Sequence, residues 1–195
     1  VFDVPAHLKR LKGGFKGKLK ITAQVIQEIV KRNGHAISRV RVVAWRENGK
    51  QHIALMALKY TFPESKEFKV CLIKTDRQAN SRLAQVKSLD YKVFADAYQQ
   101  AKQKGFDEAL LINNKGNIFE ASRSNVFWVS GGKLFTPPLS SGCLNGITRI
   151  KIIKQAKALG IKCIEKNTTP TNLKSAEKIF LTNSLIGLQP AVIKR

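Results

Sequence analysis

The 195-residue sequence has few cysteines and no long apolar run, and each scarcity excludes a class of protein. Cys71, Cys143 and Cys163 are far apart, odd in number and free of any C-x-x-C pair, so neither a disulfide framework nor a structural zinc site is expected. This usage is typical of reduced cysteines in a cytoplasmic protein. The apolar runs are short, such as Ala109–Ile112, so no membrane-spanning segment is predicted. The first residues do not resemble a signal peptide.

Acidic side chains are also scarce. Thirteen Asp and Glu residues stand against 35 Lys and Arg residues, which gives a formal net charge of +22. Such an excess suggests polyanions, acidic metabolites or a phosphorylated cofactor as ligands. A nucleic-acid-binding protein is one hypothesis. However, the basic residues are spread from Lys9 to Arg195 without a nucleic-acid-binding motif, so a lysine-rich solvated surface is favoured. The three histidines are isolated, and no metal site is predicted.

The first 75 residues have the periodicities of a small α+β unit with an antiparallel sheet. Apolar residues recur at helical spacing over Thr22–Asn33. Strands are predicted over 38–45, 51–60 and 68–73, and the Asn48-Gly49 pair predicts a hairpin turn between the first two. The polar segment 76–86 is the predicted linker. The sequence therefore predicts two domains, 1–78 and 79–195.

The remaining residues alternate between helices and short strands. Helices are predicted over Ser88–Lys104 and Ile147–Leu159, each followed by a glycine that can end it. Turn residues separate the apolar runs between and after these helices. The predicted strands are 108–112, 117–120, 125–129, 133–135, 162–166 and 176–182.

Four ordered motifs point to one family. They are Gln85–Tyr91 around Lys87, Glu108–Ile112, Gly116–Phe127 and Phe135–Arg149. In this order they resemble the class IV aminotransferases, the fold type IV enzymes that depend on pyridoxal 5′-phosphate (PLP) and include branched-chain and D-amino acid aminotransferases and aminodeoxychorismate lyase. The resemblance implies an α/β (α+β) fold, with a small N-terminal α/β domain and a larger C-terminal domain around a mixed, barrel-like sheet. It also implies PLP between the domains, a small amino substrate and a homodimer.

The resemblance assigns the central chemistry to Lys87 and Glu120. PLP needs a lysine amine to hold it, and by resemblance Lys87 holds it and also moves protons at the substrate carbon. A carboxylate against the pyridine nitrogen keeps that nitrogen protonated, and by resemblance Glu120 is this carboxylate. Ser124 and Asn125 follow in the same motif and are predicted to contact the cofactor. Tyr91 is predicted beside the ring hydroxyl, although packing on a helix explains it nearly as well.

The PLP phosphate needs hydrogen-bond donors. Gly146, Ile147 and Thr148 open a predicted helix whose free N–H groups can hold an anion, and the resemblance implies this role. Near the start, His7-Leu8-Lys9-Arg10-Leu11 resembles the H-x-x-R-L helix of the family, whose arginine pairs with the same phosphate, which assigns Arg10.

A last polar motif bears on the reaction. Asn183 and Ser184 lie in a loop that approaches the phosphate and substrate in the family, and the form N-S-L-x-G-x-x-P looks more like aminodeoxychorismate lyase. The lyase, which gives 4-aminobenzoate and pyruvate for folate biosynthesis, is therefore the favoured interpretation. The alternatives are a branched-chain or D-amino acid aminotransferase, a non-catalytic relative that binds PLP weakly, and, more remotely, a basic nucleic-acid-binding protein.

The sequence departs from the family at its beginning. Relatives have further strands before H-x-x-R-L, and this chain begins with Val1 only six residues before His7. The first domain is therefore expected to be incomplete at its start, either because residues precede Val1 or because the protein is shortened. Arg41 and Arg46 are candidates for binding a substrate carboxylate, but solvated strand arginines are the favoured interpretation.

Overall fold

The computed structural model describes residues 3–15, 17–64, 66–77 and 86–194. It divides the chain into two compact units, Val1–Pro63 and Glu64–Arg195. The predicted domain boundary, between residues 78 and 79, and most of the predicted linker 76–86 lie outside the described residues. The strand at 68–74, predicted as the third strand of the first α+β unit, pairs with strands of the second unit. None of the helices in the described part of the chain has the length and apolarity needed to cross a bilayer.

The first unit contains two helices and a hairpin. Thr22 caps the second helix by accepting a hydrogen bond from the backbone N–H of Val25, and Gly34 ends it at a φ of +63°. Asn48 and Gly49 both have positive φ angles, as the predicted two-residue hairpin turn requires. The elements are α1 (Val4–Gly14), α2 (Ala23–Asn33), β1 (Ser38–Glu47) and β2 (Lys50–Lys59).

The second unit is a mixed sheet with helices packed against it. Its strands are β3 (Phe68–Lys74), β4 (Glu108–Ile112), β5 (Ile118–Ala121), β6 (Asn125–Ser130), β7 (Lys133–Thr136), β8 (Cys163–Glu165), β9 (Lys178–Asn183) and β10 (Gly187–Ile193). Its helices are α3 (Lys92–Gln103), α4 (Ile147–Ala158) and α5 (Pro170–Lys174). The strand order is β5-β4-β3-β10-β9-β6-β7-β8, in which parallel and antiparallel pairs mix.

The sheet curls back on itself. Ile118 of the edge strand β5 forms a bridge with Thr168, three residues beyond the opposite edge strand β8. The N–H of Ile118 donates to the carbonyl of Thr168 at 2.8 Å. The predicted barrel-like core is therefore confirmed.

Buried side chains lie on both faces of the curled sheet. In β4, Leu110 and Ile112 belong to the large cluster that β3, β6 and β9 share. Ala109 and Leu111 point the other way and pack on Ala97 of α3. Because both faces are covered, β4 is a continuous apolar run after its first residue, as buried parallel strands commonly are.

Two sequence-based predictions about these elements are wrong. The helix predicted from Ser88 begins only at Lys92, and the Ser88 hydroxyl instead donates to the carbonyl of Asp90, a local bond that competes with helix formation. No strand is predicted over Gly187–Ile193, yet β10 lies in the middle of the sheet. Pro190 argues against a central strand, but the pairing with β3 begins only at the next residue, so no hydrogen bond is lost to proline on that side.

Candidate active site

Three segments of the second unit meet at one end of the sheet. They are residues 122–125, which lead from β5 into the first residue of β6, residues 144–148 at the start of α4, and residues 183–186, which lead from the last residue of β9 toward β10. We call them the three-loop cluster. The strand register explains the meeting, because β6 begins with Asn125 directly opposite Thr182 near the end of β9. Most of the predicted cofactor-binding residues lie in this cluster.

Asn125 and Gly146 join the first two segments. The Asn125 side-chain amide donates to the carbonyl of Leu144 at 2.8 Å. A Cβ atom on Gly146 would lie only 2.1 Å from Asn125 Oδ1, so the two segments approach each other as closely as they do because residue 146 is glycine. This contact fixes the position from which α4 starts.

The first turn of α4 offers hydrogen-bond donors. Among the described residues, no side chain caps this helix, so its first N–H groups and its positive dipole end are free of a protein cap. The hydroxyls of Thr148 and Ser184 lie 3.3 Å apart beside this turn. The buried hydroxyl of Thr182 has no hydrogen-bond partner within the described part of the chain. Uncapped helix N–H groups beside hydroxyls are a suitable arrangement for an anion.

Asn183 organises the third segment. Its amide nitrogen donates to the carbonyl of Arg123 at 3.2 Å and to the hydroxyl of Ser124 at 3.1 Å. Its amide oxygen accepts from the backbone N–H groups of Leu185 at 2.8 Å and Ile186 at 3.0 Å. The side chain therefore uses its two donors and its two acceptor positions within the protein. It shapes the turn that carries the neighbouring serine.

Glu120 is a buried carboxylate on β5. Its Oε2 accepts a hydrogen bond from the N–H of Leu144 at 3.1 Å, in the segment that leads into α4. Burial raises the pKa of Glu120 to about 7, whereas the positive charges of Arg77 and Lys87 act in the opposite direction. The structure thus brings the predicted catalytic lysine within electrostatic range of the predicted carboxylate.

Lys87 and Tyr91 lie on the exposed segment that leads into α3. The Tyr91 hydroxyl donates to the carbonyl of Ser122 at 3.1 Å, and its ring stacks on Phe94 with 5.5 Å between the centroids. Tyr91 therefore links this segment to the three-loop cluster. Its predicted contact with a cofactor ring stays a prediction.

Three predicted arginines lie in the first unit. Arg10 is half-buried on α1, and burial lowers its pKa. Arg46 lies over the ring of Phe15, with 5.8 Å from Cζ to the centroid, and Arg41 is exposed on β1. Their roles toward a phosphate or a substrate carboxylate stay predictions.

Sequence reasoning assigned no role to two buried charged residues beside the site. Glu108, at the start of β4, accepts hydrogen bonds from residues 122–124. The Arg149 guanidinium is 3% exposed and donates to Glu165 Oε2 at 2.7 Å and to the carbonyl of Pro137 at 3.0 Å. A sequence signal existed for Glu108, because a charged residue directly precedes the continuous apolar run Ala109–Ile112.

Comparison with known proteins places this geometry in context. The family model described as amino-transferase class IV matches residues 1–193. A Methanocaldococcus jannaschii relative, named provisionally as a branched-chain-amino-acid aminotransferase, is 40% identical over 105 residues. That match covers 54% of this chain and 36% of the relative, so the matched region spans about a third of the length of that protein.

Solved structures share the fold. The branched-chain aminotransferase of Thermoproteus uzoniensis, determined with norvaline, superposes with a TM-score of 0.90 at 26% identity and covers 99% of this chain and 72% of that one. A Legionella pneumophila protein, named provisionally as a 4-amino-4-deoxychorismate lyase, gives a TM-score of 0.84 at 21% identity over 97% of this chain and 74% of that one. At this identity the lyase likeness shows the fold alone.

Proposed function

This chain belongs to the class IV aminotransferase family, and from that membership we propose that it is a PLP-dependent enzyme that transfers the amino group of a branched-chain amino acid. The observation that carries the proposal is the juxtaposition in one unit of the uncapped α4 start, the buried Glu120 and the nearby Lys87. The proposal includes a small amino substrate, a homodimer and a cytoplasmic location, as the sequence resemblance implies.

The residues present fit PLP. The uncapped first turn of α4 and the hydroxyls of Thr148 and Ser184 suit a phosphate dianion. The orphaned hydroxyl of Thr182 is a further polar group, one residue before the third segment of the three-loop cluster. When bound, PLP serves as an electron sink for bond changes at the amine-bearing carbon of the substrate.

Lys87 and Glu120 take different parts in this proposal. The Lys87 amine holds the cofactor and afterwards carries a proton to and from the substrate carbon at its Nζ atom. The Glu120 carboxylate would pair with the protonated ring nitrogen of PLP, and that positive charge would lower the cost of keeping a buried carboxylate ionised. Without this charge the pKa of Glu120 is about 7, so a positive partner would increase the ionised fraction of the carboxyl group at neutral pH.

The aminotransferase is better supported than the lyase that the sequence favoured. The relative that matches at 40% identity is named for branched-chain amino acids, whereas the lyase likeness rests on 21% identity. The Asn183-Ser184 motif also loses its force as a lyase signal. All four hydrogen-bonding positions of Asn183 are used within the protein, so a structural role in the turn explains this asparagine.

The first test is the visible absorbance band of lysine-bound PLP in the full-length protein. We expect the parent to show a band that borohydride treatment fixes covalently, and Lys87→Ala to lack it. Lys92→Ala is the matched control, because Lys92 is an exposed lysine five residues further along the chain that pairs with Asp96. A parent protein without the band would contradict the proposal.

The second test separates the two reactions. Glutamate formation from 2-oxoglutarate with leucine, isoleucine or valine measures amino-group transfer, and pyruvate release from aminodeoxychorismate measures the lyase reaction. We expect transfer, abolished by Lys87→Ala. Pyruvate release without transfer would overturn the aminotransferase assignment and restore the lyase.

A further inference from the structure

Glu108 is a buried carboxylate outside the predicted catalytic set. It begins β4 and is 1% exposed. Three donors surround it, namely the backbone N–H of Arg123 at 2.5 Å, the Ser124 hydroxyl at 3.0 Å and the Ser122 hydroxyl at 3.4 Å. A buried carboxylate is costly unless donors satisfy it, so this residue and the segment 122–124 depend on each other.

Burial raises the pKa of Glu108, whereas the hydrogen bonds that it accepts from residues 122–124 act in the opposite direction. In its ionised form the carboxylate fixes the direction of the hydrogen bonds around it. A carboxylate can only accept, so the Ser124 hydroxyl must give its single proton to Glu108. The Ser124 oxygen is then left as an acceptor, and it receives the amide N–H of Asn183 at 3.1 Å. A chain of hydrogen bonds therefore runs from Asn183 as donor through Ser124 to Glu108.

This chain of hydrogen bonds continues into the turn that carries Ser184. With its nitrogen held by the segment 122–124, the Asn183 amide directs its oxygen toward the backbone N–H groups of Leu185 and Ile186. That orientation closes the turn and holds the Ser184 hydroxyl 3.3 Å from the hydroxyl of Thr148. Glu108 is thus connected by hydrogen bonds to the hydroxyl pair beside the first turn of α4.

The ring and charge contacts of Arg123 anchor the same segment from outside. The Arg123 guanidinium lies 3.7 Å from the centroid of the Tyr98 ring, a cation–π contact with α3. Its backbone N–H binds Glu108 while its carbonyl accepts from Asn183. The segment is therefore held on both sides, and the carboxylate is the acceptor at its buried end.

We propose that Glu108 is a positioning residue for the phosphate-binding end of the site, acting through Ser124 and Asn183 on the turn that presents Ser184. This inference rests on the proposed function, since it names what the three-loop cluster holds. In this role Glu108 would act through residues 122–124 without touching cofactor or substrate. Its effect is to keep the hydroxyl of Ser184 where a phosphate on α4 can use it.

A pair of ligands distinguishes positioning from general support of the fold. PLP and pyridoxal share the aldehyde and the ring, but only PLP carries the phosphate. Glu108→Gln keeps the shape of the side chain but places an N–H donor opposite Ser124, which reverses the donor direction. We expect PLP affinity, titrated by the absorbance band, to fall about tenfold while pyridoxal affinity changes by less than about twofold.

Two further variants complete the design. Ser124→Ala removes the link while leaving the carboxylate in place, and it decides the question should Glu108→Gln fail to fold. The double variant should lose no more PLP affinity than Glu108→Gln alone, because both changes break one chain of bonds. The matched control is Glu177→Gln, whose carboxylate accepts a backbone N–H from Gly131 just beyond the opposite end of β6. It should leave the PLP-to-pyridoxal affinity ratio unchanged.

Equal losses of PLP and pyridoxal affinity would overturn the inference, because a residue that only supports the fold weakens both ligands alike. An unchanged ratio in Glu108→Gln and Ser124→Ala, with PLP bound normally by the parent, would overturn it as well. Failure of the proposed function has a different signature, since the parent itself would then bind neither ligand with an absorbance band.

Discussion

The pH dependence of stability isolates the cost of burying Glu120. Burial raises its pKa from an ordinary 4.5 to about 7. The fold favours the protonated form of the Glu120 carboxyl. The contribution of this preference to the free energy of unfolding is fully present below pH 4.5 and is lost as the pH rises through 7. The difference between the two pKa values corresponds to about 3 kcal/mol of the free energy of unfolding at pH 8.

Glu120→Gln removes this titration while keeping an oxygen that can accept the N–H of Leu144. In the cofactor-free protein, we expect the variant to gain on the parent as the pH rises from 5 to 8, by up to about 3 kcal/mol. Denaturant unfolding of both proteins at a series of pH values measures this difference. A difference that stays constant across that range would refute the reasoning, because the buried carboxyl would then not be the titrating group.

Three other predictions concern the surroundings of the site. Gly146→Ala should cost about 1–3 kcal/mol in thermal unfolding, because the added Cβ would meet an asparagine oxygen at 2.1 Å, whereas Gly13→Ala, with open space around it, should cost nothing. Glu165→Ala should lower the free energy of unfolding in denaturant by about 1–2 kcal/mol, because the carbonyl of Pro137 is then the remaining acceptor described for the buried Arg149. This cost is smaller than for a fully buried pair, because Glu165 is half-exposed. Burial raises the pKa of the Cys143 thiol to about 11, so peptide mapping should find it alkylated about 100-fold more slowly at pH 8 in the folded protein than after unfolding.

Local patterns predicted most elements of the fold. Helical spacing located α2, and the Asn48-Gly49 pair located the hairpin turn, because both signals act within a few residues. The strand β10 escaped detection because Gly187 and Pro190 look like loop residues on their own. Only the register with β9 and β3 shows that this strand tolerates them.

The order of the motifs predicted some residues of the candidate site, but no sequence pattern predicted the pairing of charged residues that are distant in sequence. The ordered motifs located Glu120 and Gly146, which the structure brings to the two sides of the segment leading into α4. The roles of Glu108 and Arg149 depend on partners 14 to 16 residues away, across turns that no periodicity describes. The contact of Asn183 with Arg123 spans 60 residues and follows only from the pairing of β6 with β9.

The central place of β10 has a consequence for synthesis of the chain. Seven strands of the second unit precede β10 in sequence, yet β10 lies between β3 and β9 in the strand order. Until β10 leaves the ribosome, β3 and β9 each have an unpaired edge open to other strands. A chain that ends before Gly187 should therefore be more exposed to aggregation or chaperone capture than a released chain that includes β10.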